Sequence, residues 1–97
     1  MFTAEQITTL LNLDRDGLTA TPDSKYALYK FDRGDKIEIR LEEKFIREED
    51  KGMRKSIGYL ETIMRCFVPK DTDVFDTVYR LLRNCLLIEK VGNGKSK

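Results

Sequence analysis

Ser24 and Ser56 carry hydroxyls that could attack a carbonyl or phosphoryl centre, and Cys66 and Cys85 carry thiols that could do the same or hold a metal. Both chemistries need a neighbour. A serine needs a base, most often an imidazole, and a zinc or redox site needs clustered thiolate or imidazole. The 97 residues contain no histidine, and the two cysteines stand far apart in apolar surroundings. Carboxylates are plentiful, but no pair falls in an apolar context that would separate a general acid from a general base. The stretch Gly92-Asn93-Gly94-Lys95 has the wrong glycine spacing for a phosphate-binding loop, and no helix follows it. No catalytic residue, metal or cofactor is therefore expected, and the cysteines read as reduced core thiols.

One calcium-like pattern remains. Asn12, Asp14, Asp16, Gly17 and Asp23 fall at positions 1, 3, 5, 6 and 12 of a loop that resembles the EF-hand calcium loop. Thr19 stands where that loop has an aliphatic residue, Pro22 occupies its eleventh position, and Asp23 replaces the bidentate glutamate. No second loop accompanies it. The segment reads as a connecting turn after a helix, without metal.

Charge narrows the binding classes. Eighteen basic side chains face 17 acidic ones, a net charge of +1, so binding through bulk positive charge is disfavoured. Local basic groups persist. Lys44, Arg47, Lys51, Arg54 and Lys55 cluster in the middle of the chain, and Arg80 with Arg83 forms a smaller pair. They define an alternative reading, a nucleic-acid or anion site. Lys51, Arg54 and Lys55 are expected in the first turn of a helix, where an anion would relieve their conflict with the helix dipole; Glu48, Glu49 and Asp50 just upstream already compensate.

The elements that position these residues can be read in order. Thr3 and Gln6 have the spacing of a capping box and Phe2 with Ile7 that of a hydrophobic staple, so a helix starts at Ala4 and buries Ile7, Leu10 and Leu11. It closes near Gly17. Ile37, Ile39 and Leu41 alternate with Lys36, Glu38, Arg40 and Glu42, the period of a half-buried strand, and Tyr26 to Phe31 has strand composition. Asp32-Arg33-Gly34-Asp35 between them reads as a tight turn, which makes the pair an antiparallel hairpin. Its Arg-Gly-Asp tripeptide spells an adhesion motif, but without secretory features it is simply that turn.

Phe45 and Ile46 extend the strand or pack a connecting loop onto the core, and strand, loop and helix all stay open for residues 42–50. Met53, Ile57, Leu60, Met64 and Phe67 recur at helical spacing, which predicts a helix over 51–67 ended by Pro69. Asp71, Thr72 and Asp73 offer caps for another helix, with Val74, Val78, Leu81, Leu82 and Cys85 on one face and Phe75 and Leu86 widening it. A short linker predicts an αα-hairpin, with Leu60, Met64, Val78 and Leu82 buried between its arms. Residues 92–97 contain no apolar side chain and read as a flexible tail.

The expectation is one α+β domain over residues 1–91, in the order α-β-β-α-α. The start Met1-Phe2-Thr3-Ala4 lacks a secretory pattern and no apolar run has membrane-spanning length, so a cytoplasmic protein without membrane contact is expected. The strand Tyr26 to Phe31 is apolar on both faces, and three helices on one side of a small sheet would leave Tyr29, Phe31 and the neighbouring Arg40 free for another protein or a second copy of the chain. The expected function is non-enzymatic protein binding, as an inhibitor or adaptor of the kind that phages and mobile elements use.

Overall fold

The computed structural model describes the backbone of residues 1–50 and 55–89 and the side chains of 1–44 and 60–89. Helix α1 runs Ala4–Leu11 and starts as its spacing requires: the Thr3 hydroxyl accepts from the Gln6 N–H while the Gln6 side chain accepts from the Thr3 N–H. Phe2 and Ile7, the staple pair, are both buried. Strands β1 (Gly17–Ala20), β2 (Tyr26–Asp32), β3 (Lys36–Asp50) and β4 (Lys55–Pro69) follow, and helix α2 (Val74–Asn84) closes the order α-β-β-β-β-α.

The strands form one antiparallel meander, β1-β2-β3-β4. The expected hairpin of β2 and β3 is its centre, with Asp32 opposite Ile37 and Gly34 at φ +90° in the turn, a backbone conformation that favours glycine. Both helices lie on one face. Leu28 of β2, Ile37, Ile39 and Leu41 of β3, and Val68 of β4 are buried there with Ile7, Leu10, Val78 and Leu82 of the helices, and Met64 and Cys66 pack at the margin. Among the described residues no helix lies on the other face of the sheet.

Three expectations are corrected. Residues 55–69 are a strand rather than the second half of a helix over 51–67; residues 51–54 lie outside the described residues. The apolar set that fits a helical period hides a second set, Met64, Cys66 and Val68, that fits a period of two. Pairing with β3 selects the latter, placing these residues opposite Leu41, Ile39 and Ile37. Consequently there is no αα-hairpin: α2 packs on α1 and the sheet, and Leu60, expected in the core, is 60% exposed. β1, the third correction, takes the place of a plain turn; Gly17 opens it because a Cβ there would stand 2.5 Å from Leu13 Cδ1.

Asp73 caps α2 by accepting from the Asp76 N–H. The helix ends with Leu87 N–H donating to Leu82 C=O and Leu86 N–H to Arg83 C=O, with Leu86 at φ +60°. Leu86 is 78% exposed and Cys85 is exposed as well, so neither joins the core face assigned to them, and the expectation of two core thiols fails at Cys85. Phe2 bridges Ile88 in parallel, its N–H donating to Leu87 C=O at 2.7 Å, which ties the start of the chain to the segment after α2. The expected tail at 92–97 lies outside the described residues.

One buried cation holds α1 to the sheet. Lys30 points to the helix side of β2, is almost fully buried, and its ammonium donates to the carbonyls of Leu13 and, at 3.4 Å, Leu11. Those are carbonyls at and just past the end of α1, which have no partner in the helix itself. Lys30→Met is expected to cost about 1–3 kcal/mol, because the apolar replacement leaves both oxygens without a donor. Chemical denaturation reads the cost, and faster hydrogen exchange at the end of α1 than elsewhere would locate it.

Candidate functional site

The open face of the sheet is built from the alternate positions of the same strands. Across the register three rows form: Phe31, Glu38 and Phe67; Leu18, Tyr29, Arg40 and Arg65; and Ala20, Ala27, Glu42 and Thr62. Tyr29 and Phe31, adjacent along β2 on this side, stack with ring centroids 5.9 Å apart. The rings are half-buried.

Glu38 is the centre of the face. Its side chain is only 1% exposed although none of the described helices covers this side. What covers it is basic and aromatic. Arg33 from the β2-β3 turn donates Nε and Nη2 to Oε1 at 2.9 and 2.7 Å, Arg40 donates Nε and Nη2 to Oε2 at 3.2 and 2.7 Å, and Arg65 of β4 donates Nε to Oε2 at 2.7 Å. The guanidiniums of Arg33 and Arg40 lie 5.1 and 4.7 Å from the Phe31 ring centre, while Arg65 and Lys36 lie 5.9 and 5.5 Å from that of Phe67. Arg40 first and Arg33 next pull the Glu38 carboxyl down from 4.5 to about 2, against the opposing effect of desolvation. Burial, then the charge of Glu42, pushes the Tyr29 hydroxyl above its ordinary value.

The described side chains of this face include Arg33, Lys36, Arg40, Lys44 and Arg65 against Glu38 and Glu42, a positive surface on a chain of net charge +1. Three of its apolar members are exposed: Leu18 by 58% and Phe67 by 50%, with Leu60 beyond them on β4. The arrangement can bind anions and apolar groups together.

The three residues expected to contact a partner, Tyr29, Phe31 and Arg40, lie together on this face. Glu38, Arg33, Arg65 and Phe67 were missed. Their signal was weak, since Glu38 sits in a strictly alternating strand that reads as solvated, Arg33 belongs to a turn, and Arg65 and Phe67 fell in a segment expected as helix. The alternative basic set lies partly outside the described residues. Lys44 is exposed on β3, Arg47 and Lys55 have backbone positions on β3 and β4, and Lys51 and Arg54 lie outside the described residues. No helix begins at Lys55, so the dipole argument for an anion there lapses. Arg80 and Arg83 lie on α2, beyond the other face of the sheet, and Arg80 pairs with Asp76 at 3.0 Å.

The calcium-like residues disperse. Asn12 ends α1, Asp16 Oδ1 accepts from the Asp32 N–H, and Asp23 Oδ1 accepts from the Thr21 hydroxyl and the Lys25 N–H, which lower its pKa in that order. β1 intervenes between them. Ser24 sits in the turn after β1 at φ +60°, its N–H donating to Thr21 C=O. Cys66 is half-buried, and that burial pushes its thiol pKa up, away from nucleophilic use. Among the described residues no group of acidic or cysteine side chains is arranged to hold a metal, and no helix is long and apolar enough to cross a membrane. Comparison with protein-family models, with curated proteins and with solved structures finds no match for this chain.

Proposed function

We propose that this protein is a non-enzymatic binding module, an inhibitor or adaptor, that engages another protein through the open sheet face around Tyr29, Phe31 and Arg40. One observation carries the reading: a sheet face that neither described helix covers, on which arginines and aromatic rings surround the buried carboxylate of Glu38. Arginine and tyrosine dominate the energetic centres of protein interfaces, arginine through its fixed fork of hydrogen-bond donors and tyrosine through large contact area at little ordering cost. The exposed apolar residues Leu18 and Phe67 extend the same surface.

Affinity capture from source cells, comparing the wild type with Tyr29→Ala, Phe31→Ala and the remote control Arg15→Gln, tests this. Proteins retained by the wild type and by Arg15→Gln should be lost from both aromatic variants, each substitution weakening association by about 2 kcal/mol if these are central contacts. Melting curves establish that the variants are folded. Equal retention by folded aromatic variants overturns the reading. Nucleic-acid binding through Lys44, Arg47, Lys51, Arg54, Lys55, Arg80 and Arg83 is the competing proposal, and its mark would be affinity for nonspecific DNA or RNA that falls steeply with salt.

A further inference from the structure

We infer that the guanidiniums of Arg33, Arg40 and Arg65 form a receptor for carboxylates on an extended, acidic and apolar segment of the partner protein. The inference rests on the protein-binding reading and supplies its chemistry. Glu38 engages Nε and Nη2 of Arg33 and Arg40 and Nε of Arg65. The contacts with Glu38 thus use one side of each guanidinium and leave Nη1 of all three outside them. Among the described side chains of this face, Glu38 and Glu42 also do not neutralise Arg33, Lys36, Arg40, Lys44 and Arg65, so positive charge remains for a ligand. A planar guanidinium with donors to spare is matched by a second carboxylate better than by any neutral group.

The receptor is ordered before it binds. Arginine loses much rotamer freedom when immobilised, and here Glu38 holds all three side chains while Phe31 supports two of them. That entropy is lost on folding, so less is lost on association.

Two other occupants fit less well. A second copy packed face to face would oppose the surplus cations of both subunits, a like-charge arrangement that costs association energy. A single-stranded nucleic acid needs open ring faces on which to stack its bases, but Phe31 already has guanidiniums at 4.7 and 5.1 Å. An extended polypeptide uses what remains. Its acidic side chains reach the arginines, and its apolar ones reach Phe67 and Leu60, which are 50% and 60% exposed on β4, one of the two edge strands.

Fluorescence anisotropy with a labelled peptide of alternating aspartate and leucine tests the inference, with an alternating asparagine and leucine peptide and a labelled oligothymidylate as comparators. The aspartate peptide should bind the intact chain and lose affinity as salt is added. Arg33→Gln and Arg65→Gln should each weaken it about tenfold or more, the loss expected for a charge-assisted contact, and Arg15→Gln should not. The asparagine peptide should bind far less. Failure of the aspartate peptide to bind at low salt, unchanged affinity in both arginine variants with native melting curves, or tighter binding of the oligothymidylate overturns the inference. If cellular capture depends on Tyr29 and Phe31 while the arginine variants leave both capture and peptide binding unchanged, the carboxylate receptor fails and the protein-binding reading stands. Capture that ignores Tyr29 and Phe31 defeats that reading instead.

Discussion

Replacing Leu82 with alanine lowers the free energy of unfolding by about 2–5 kcal/mol, the range for deleting a fully buried leucine from a packed core. Leu82 is inaccessible to solvent and belongs to the cluster in which α2 meets α1 and the sheet. The loss combines removal of apolar surface from the core with the cavity left behind, since neighbours fixed in strands cannot collapse fully into it. For a domain of this length the total stability is only about 5–15 kcal/mol, so the variant sits close to unfolding. Urea denaturation reads the change as a lower midpoint at unchanged slope. Leu86→Ala is the contrast: its side chain is largely exposed one turn later, and the midpoint should move by no more than about 0.5 kcal/mol equivalent. A Leu82→Ala midpoint equal to the wild type would mean that the helix does not dock as described.

Leu82 was legible in the sequence for the right reason and in the wrong surroundings. The cap Asp73 and the spacing of Val78 and Leu82 define α2 locally, and local signals of this kind survive folding. The same holds for the box formed by Thr3 and Gln6 and for the turn at Gly34. β4 was not legible, because between Ile57 and Val68 the apolar residues satisfy both a helical and an alternating period. The choice between them is made by β3, a long strand distant from the local window, whose Ile37, Ile39 and Leu41 need partners on the helix side. β1, at four residues, is too short to carry a period. The candidate site divides in the same way. Tyr29 and Phe31 stand out because β2 is apolar on both faces, whereas the burial of Glu38 is created by Arg33 and Arg65, brought to it from a turn and from the strand whose type the sequence conceals.

Glu38→Gln is expected to destabilise the protein at neutral pH and to remove a specific part of its acid sensitivity. The carboxyl titrates near 2 in the folded chain against 4.5 when unperturbed, because folding surrounds it with three guanidiniums. A group whose pKa is lowered by folding stabilises the native state fully above its unfolded value and loses that contribution as pH falls through the folded one. The window is therefore from about 4.5 down to about 2. Asp32, whose pKa is lowered by its bond to Lys70 and the Gly34 N–H, contributes in the same direction and remains in the variant. The difference in melting temperature between wild type and Glu38→Gln should be largest above pH 5 and should shrink steadily toward pH 2, where Glu38 in the folded wild type is about half protonated and little of the charge contribution is left. High salt should also narrow it, since the cluster lies only one side chain from solvent. A difference that stays constant from neutral pH to pH 2 would show that Glu38 contributes shape rather than charge, and that something else keeps Arg33, Arg40 and Arg65 together.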